Sequence, residues 1–171
     1  MRTGQNFGLL YCMMLICQIV LSTYSPVGPY ITLTVLPAMI LCIPTSVSTL
    51  TCMIIAFASG LCVDWLSEGL IGINAAAIVP VALARRSIVR IFCGEDLISR
   101  GDSFSFNKFG VSKVSAAILV SLAIFLLIYI SLDGAGTREM WFNLTYFGLS
   151  LLCSWLISLI ATNILTPDDR K

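Results

Sequence analysis

The chain has 171 residues, of which 58% are hydrophobic and only 11% are charged, and its formal net charge is +1. Globular domains in water carry about 25% charged residues, so this composition excludes a water-soluble domain. The chain contains no histidine, which removes the commonest general base and metal ligand, and we expect no cofactor. Its seven cysteines include no Cys-x-x-Cys pair and are interpreted as small buried apolar residues.

No charged residue lies between Arg2 and Asp64, a run of 61 residues. At about 20 apolar residues per crossing, this run alone is long enough for about three membrane helices. The whole chain divides into six predicted spans, at about residues 7–24, 30–43, 47–63, 69–84, 114–132 and 140–165. The sequence therefore predicts an all-α polytopic bundle that forms a single integral membrane domain over residues 1–171.

Local signals set the boundaries of these spans. Residues 25–29 contain two prolines and a glycine, which cannot continue a helix. Pro37 predicts a kink in the short second span. Residues 44–46 form a predicted tight turn whose Ser or Thr can cap the third span. Aromatic residues near the predicted outer boundaries indicate interfacial anchors: Trp65, Trp141 and Tyr146.

Basic residues are concentrated on one predicted side of the membrane. The loop over residues 85–113 carries six of them: Arg85, Arg86, Arg90, Arg100, Lys108 and Lys113. The tail adds Arg170 and Lys171, whereas the opposite side has only Arg138 beside four acidic residues. Because basic loops stay in the cytoplasm, we expect this loop and both termini to be cytoplasmic, as an even number of spans also predicts. The same charges favour contact with anionic lipids, and nothing in their placement indicates nucleic-acid binding.

Small residues recur at helical spacing in the third and fourth spans. Two pairs are four residues apart, Ala56 with Gly60 and Gly72 with Ala76. This spacing clears one face of a helix, so that a neighbouring backbone can approach within van der Waals distance. Two interpretations remain open: the cleared face packs inside the bundle, or it receives the membrane helix of a partner.

Asp64 ends the third span, four residues after Gly60 and on the same helix face. A carboxylate at a membrane boundary needs water or a hydrogen-bond donor, and Asn74 in the fourth span is a candidate donor. Three interpretations are open: an ordinary interfacial residue, a polar lock between the two spans, or a carrier of protons or ions. A lock should tolerate Asn at this position but not Ala. Asp64 and Glu68 are only a weak signal for acid–base or metal chemistry, because no histidine and no third acid accompany them. We therefore expect no enzymatic activity.

From Gly60 to Arg86 the chain resembles the rod-shape-determining MreD family of bacterial cell-elongation proteins. That family has Gly-x-x-x-Asp at the end of a membrane helix, then a turn of small residues and an alanine-rich helix ending in Arg. The corresponding residues are Gly60 and Asp64, Gly69 and Gly72, Ala75, Ala76 and Ala77, and Arg85 and Arg86. The number of spans and the length also agree, so the resemblance covers nearly the full chain. Pro80 in the fourth span departs from the pattern and bears on the straightness of that helix.

The resemblance implies a non-enzymatic scaffold in the bacterial cytoplasmic (inner) membrane that helps to organise lateral peptidoglycan synthesis and rod shape. Its implied partners are a bitopic coiled-coil MreC protein, the actin-like MreB filament, and a peptidoglycan polymerase with its transpeptidase. The helix-packing and partner motif would then comprise Gly60, Asp64, Gly69, Gly72, Asn74 and Ala76, beside the basic loop.

A substrate-binding membrane subunit of a vitamin importer is the alternative, since those subunits are of similar size and also have six helices. They dock on a coupling protein through alanines at every fourth position of the first helix, but residues 7–24 contain no alanine. This absence argues against that function and not against a similar fold. A membrane-embedded enzyme is disfavoured by the lack of a catalytic cluster. Neighbouring genes distinguish these classes: MreC and a transpeptidase on one hand, importer ATPases on the other.

Overall fold

A computed structural model of the chain describes residues 3–24, 31–68, 71–93, 110–134 and 140–165. Every regular element in these ranges is helical, so the predicted all-α class is confirmed there. The helices are α1 (Thr3–Tyr24), α2 (Leu36–Cys42), α3 (Thr49–Val63), α4 (Ile73–Cys93), α5 (Val111–Gly134) and α6 (Met140–Leu165). A π-helical turn, Asp64–Glu68, follows α3 directly.

Three helical stretches are long and apolar enough to cross a membrane: Thr49–Ser67, Val111–Asp133 and Met140–Leu165. In α1 the apolar stretch Phe7–Thr23 is shorter. The last nine residues of α4 include three arginines, so only its first twelve residues are free of charge. The described residues therefore indicate a membrane protein with three clear candidate spans, and the full set of six stays a prediction.

The predicted second span, residues 30–43, does not form one helix. Residues 31–35 are not helical, Val35 is the N-cap of α2, and Pro37 lies in the first turn of α2. A proline is tolerated there because its missing N–H has no partner inside the helix, so it begins the helix and does not kink it.

The helix α2 lies at the centre of the bundle. All seven of its residues are buried, and it packs against each of the other five helices. On one side of it the core joins the end of α4, the start of α5 and the end of α6, through Val89, Val114 and Leu165. On the other side the core joins α3 to the start of α4, the end of α5 and the start of α6. The region that joins the end of α4, the start of α5 and the end of α6 is called the basic end, because it carries Arg85, Arg86, Arg90 and Lys113.

Apolar side chains project outward from several helices at spacings of three or four residues. Examples are Leu9, Met13, Ile16 and Val20 of α1, and Leu152, Leu156, Ile160 and Ile164 of α6. An outward apolar stripe of this kind is the surface that a helix presents to lipid. Trp65 and Trp141 are also strongly exposed, at 77% and 78%.

Two groups of side chains differ from the sequence interpretation. Tyr146 is buried and bonded to Thr32, so it is a core residue and not an interfacial anchor like the tryptophans. Cys42 and Cys52 are buried as expected, but three further cysteines, Cys12, Cys17 and Cys62, are exposed. In a bilayer such a thiol lies against lipid, where an apolar side chain needs no burial inside the protein.

Candidate functional site

The helices α3 and α4 touch backbone to backbone at Gly60. A Cβ atom added to Gly60 would lie 2.6 Å from Ala75 Cα and 2.7 Å from Ala75 N. Both distances are far inside van der Waals contact, so only glycine fits at this position. The contact is with Ala75, one residue before the Ala76 of the predicted stripe.

The Asp64 carboxylate lies beside this contact and is fully buried. Oδ1 accepts hydrogen bonds from Asn74 N at 3.0 Å and from Asn74 Nδ2 at 2.9 Å. Oδ2 accepts from Gly72 N at 2.9 Å and from Ala75 N at 3.3 Å. Asp64 thus caps the start of α4 from another helix and satisfies N–H groups that have no partner within α4. A negative charge is also favoured at that end of the helix dipole.

The local sequence places these donors around the carboxylate. The π-helical turn carries the chain away from α3, and Gly72 then adopts a φ of +110°. This backbone conformation is favoured by glycine and turns the chain into α4, where the Ala76 N–H bonds Gly72 O at 2.8 Å. The four residues Gly60, Asp64, Gly72 and Asn74, together with Ala75, are called the α3–α4 junction below.

The predicted packing motif is therefore brought together only in part. Gly60, Asp64, Gly72 and Asn74 meet in the junction, and Asn74 donates to Asp64 across the helix pair. Ala76 is exposed, so it does not pack within this chain, and at this position the interpretation as a face that receives a partner's helix stays a prediction. Gly69 lies outside the described residues.

The non-helical segment at residues 31–35, which we call the extended segment because hydrogen-bond partners alternate along it, forms a second polar arrangement. Extended backbone leaves N–H and C=O groups without the partners that a helix supplies, and in an apolar environment each unsatisfied group costs several kcal/mol. Gln18 of α1 satisfies one edge of the segment. Its Oε1 accepts from Val35 N at 2.7 Å, and its Nε2 donates to Leu33 O at 3.2 Å.

Hydroxyl groups of α6 satisfy the other edge. Ser150 Oγ accepts from Thr32 N at 2.9 Å, and Ser154 Oγ accepts from Thr34 N at 3.1 Å. Ser154 also donates to Thr32 O at 3.2 Å, and Ser158 approaches Thr34 O at 3.5 Å. The backbone groups of Thr32 and Thr34 thus bond to α6, whereas those of Leu33 and Val35 bond to Gln18. The same alternation is seen in a β-strand that pairs with a neighbour on each side.

A match of repeat lengths makes this pairing possible. Four residues of helix rise about 6.0 Å and two residues of strand about 6.6 Å. A hydroxyl at every fourth position of α6 therefore keeps register with every second residue of the segment. The buried polar stripe of α6, which we call the hydroxyl ladder, consists of Tyr146, Ser150, Ser154, Ser158 and Thr162. Its spacing of four is visible in the sequence and lies outside the predicted packing motif.

The basic loop predicted over residues 85–113 begins as helix. α4 continues to Cys93, nine residues beyond the predicted end of the fourth span. Arg85 is 6% exposed, and its Nη2 donates to the carbonyl oxygen of Ile43 at the end of α2. Arg85 is therefore a buried residue of the bundle and not part of a solvated loop, whereas Arg86 and Arg90 are exposed on α4. Arg100 lies outside the described residues.

The geometry of the junction bears on what Asp64 can do chemically. A carboxylate has about four lone-pair positions, and the four donors at Asp64 use all of them. No position is left for a metal ion or a transported cation without breaking the cap of α4. The arrangement favours the polar lock among the three interpretations.

Comparison of the chain with protein-family models, with curated proteins and with solved structures finds no match.

Proposed function

We propose that this chain is a non-enzymatic membrane scaffold that helps to organise lateral peptidoglycan synthesis in the bacterial cell-elongation complex. The proposal starts from the resemblance of residues 60–86 to the MreD family. Its expected partners are an MreC-type bitopic coiled-coil protein, the actin-like MreB filament, and a peptidoglycan polymerase with its transpeptidase. The expected location is the cytoplasmic membrane, with both termini in the cytoplasm.

The observation that supports the proposal is the α3–α4 junction. Two residues that carry the resemblance hold α3 against α4: Gly60 allows a close backbone contact, and Asp64 caps the start of α4. A junction of this kind holds two helices at one angle, because the glycine contact and the four hydrogen bonds each restrict movement. A scaffold needs such a rigid pair, since partners can bind in register only to surfaces whose relative position does not change.

The proposal is tested by co-purification and by cell shape in the native host. We expect the tagged chain, extracted in mild detergent, to recover a single-span coiled-coil protein, and its depletion to make rod-shaped cells wide or round. A junction variant such as Gly60→Leu should lose both the partner and the cell shape. The matched control is Gly148→Leu, where an added side chain meets nothing within 4 Å of its Cβ.

The importer subunit is the main competing outcome. Recovery of a pair of cytoplasmic ATPases, with no change in cell shape on depletion, would overturn the scaffold proposal. The neighbouring genes provide an independent check: genes for an MreC-type protein and a transpeptidase support the scaffold, and genes for importer ATPases count against it.

A further inference from the structure

A row of side chains on the outer face of α4 has the spacing of a helix contact. Ala76, Leu83, Ser87 and Arg90 are exposed, and Pro80 between them is partly exposed. Successive members are four, three, four and three residues apart, which is the spacing of the seam along which two helices pack in a coiled coil. We call these five residues the α4 seam.

The composition of the α4 seam differs from that of a face covered by lipid. The outward stripes described above for α1 and α6 consist of large apolar side chains. The α4 seam instead begins with a small side chain, Ala76, and finishes with two polar ones, Ser87 and Arg90. Small residues let a neighbouring backbone approach, and polar side chains join membrane helices by hydrogen bonds. The seam therefore has the composition of a contact between helices.

Pro80 gives the seam a free hydrogen-bond acceptor. Proline has no N–H, so the helical bond from residue 80 to the Ala76 carbonyl oxygen cannot form within α4. Ala76 is exposed, and the hydrocarbon of lipid offers no donor to this oxygen. In membrane proteins, backbone groups freed by a proline are commonly satisfied by a neighbouring helix. A hydroxyl side chain on an adjacent helix would supply the missing donor.

Charge at the basic end distinguishes the possible occupants of the seam. Arg86 and Arg90 are exposed at this end of α4. A second copy of the chain has the same orientation in the membrane, so two seams packed together would oppose these arginines to their counterparts, and like charges repel. An anionic lipid headgroup could pair with the arginines but cannot reach Ala76, about 21 Å along the helix from Arg90. A helix of another protein can satisfy both ends.

We propose that the α4 seam binds one membrane helix of a second protein. That helix carries a serine or threonine that donates to the Ala76 carbonyl oxygen. It also carries an aspartate or glutamate about 14 positions away, or two heptads, that pairs with the exposed arginines. The inference rests on the proposed scaffold function for the presence of a membrane partner, and it adds the face that binds this partner and the chemistry of the contact.

Photo-cross-linking in membranes of the native host tests the seam. A photoreactive phenylalanine replaces Leu83, and in the control it replaces Leu127 of α5, because the exposed fractions of these leucines are closely matched at 59% and 61%. We expect an adduct with one protein at Leu83 and only lipid adducts at Leu127. Mass spectrometry should map the protein adduct to a membrane helix with the stated hydroxyl and acidic side chains. Lipid adducts alone at Leu83, or an adduct with a second copy of the chain, would overturn the proposal.

The same experiment separates this inference from the scaffold function. A partner with the stated chemistry but without a role in peptidoglycan synthesis would support the seam and overturn the scaffold function. An elongation partner that cross-links equally from Leu83 and Leu127 would support the scaffold function and overturn the seam.

Two variants assign the chemistry of the contact. Pro80→Ala restores the hydrogen bond within α4 and removes the free acceptor. Its Tm should therefore rise, while the yield of the Leu83 adduct should fall by about threefold, the size of one hydrogen bond between membrane helices. Arg90→Glu should lower the yield by about tenfold or more, because it opposes two acidic side chains. Exchange of the partner's acidic residue for arginine should then restore the yield.

The control for charge is Lys113→Glu, since Lys113 is exposed at the basic end but belongs to α5 and not to the seam. We expect it to leave the adduct unchanged. An equal loss in Lys113→Glu and Arg90→Glu would mean that only total charge matters, and the seam would be wrong. Should Arg90→Glu fail to fold, Pro80→Ala decides alone, because an unchanged adduct in that variant excludes the hydrogen bond to Ala76.

Discussion

Asp64 is an acceptor surrounded only by donors, and this decides how its substitutions behave. An Asn side chain has one oxygen, so it can replace only one of the two carboxylate oxygens. Its amide group would point either at the two N–H donors of Asn74 or at those of Gly72 and Ala75. Asparagine therefore cannot reproduce the lock, and the expectation from sequence that it is tolerated is revised.

We predict that Asp64→Ala lowers the free energy of unfolding by about 2–4 kcal/mol, because it leaves buried N–H groups of α4 without acceptors. Asp64→Asn should lose about half of that. The measurement is reversible unfolding in detergent or bicelles. If Asn equals the wild type, the carboxylate does not act as a lock, and if Asn and Ala abolish function equally at normal stability, ion or proton transport becomes the better interpretation.

Gly60 permits a close approach of the α3 and α4 backbones. Even a methyl group would meet the Ala75 backbone at 2.6 Å, and backbone atoms cannot move aside as a flexible side chain can. The structure therefore excludes even alanine at this position.

We predict that Gly60→Ala destabilises the protein by about 1–3 kcal/mol through overpacking. Gly148→Ala in α6 is the matched control, because its Cβ would meet nothing within 4 Å and alanine favours helix over glycine by about 1 kcal/mol. In thermal unfolding, the Tm should fall for Gly60→Ala and should rise or stay unchanged for Gly148→Ala. A neutral Gly60→Ala would show that the two helices are free to separate at this point.

The extended segment and α6 form one structural unit at the scale of elements. Their hydrogen bonds join residues 118 to 124 positions apart in the chain. Ser154 is central to the unit, since it both accepts from Thr34 N and donates to Thr32 O. Removal of its hydroxyl leaves the buried Thr34 N–H and the partly buried Thr32 carbonyl oxygen without this partner.

We predict that Ser154→Ala lowers stability by about 1–3 kcal/mol. The control is Ser131→Ala in α5, where the exposed hydroxyl only donates to Leu127 O of its own helix and its loss should change stability by less than about 0.5 kcal/mol. Hydrogen exchange at residues 32–34 should rise in the Ser154 variant and stay unchanged in the control. Equal effects of the two variants would mean that the hydroxyl ladder does not hold the segment.

At the scale of the whole molecule, charge distinguishes the two ends of the bundle. Arg85, Arg86, Arg90 and Lys113 lie at the end where α4 finishes, α5 begins and α6 finishes. Asp64 lies at the other end, next to the core region that joins α3 to α4. This separation matches the asymmetry of basic residues from which the orientation in the membrane was predicted.

We predict that a reporter active only in the cytoplasm works when fused after Lys171 and is silent when inserted at residues 133–139. The physical reason is that basic segments resist transfer across the membrane. The opposite pattern would reverse the orientation, and activity at both positions would mean that the number of spans is not six.

The sequence by itself determined those features that depend on local composition. A run of 61 residues without charge predicts membrane helices whatever the tertiary structure, because the transfer of each side chain into lipid is nearly independent of its neighbours. The pairing of Asp64 with Asn74 was also accessible, since the two residues are only ten positions apart at the ends of adjacent helices.

Only the tertiary structure decided which part of the predicted spans is not helical. Residues 31–35 lie within a predicted span, yet they are not helical, because Gln18 and the serines of α6 supply the hydrogen bonds that a helix would make internally. The burial of Arg85 beneath Ile43 depends on the same central position of α2. Local hydropathy contains no information on such distant partners, since a backbone group is satisfied by whatever the fold brings to it.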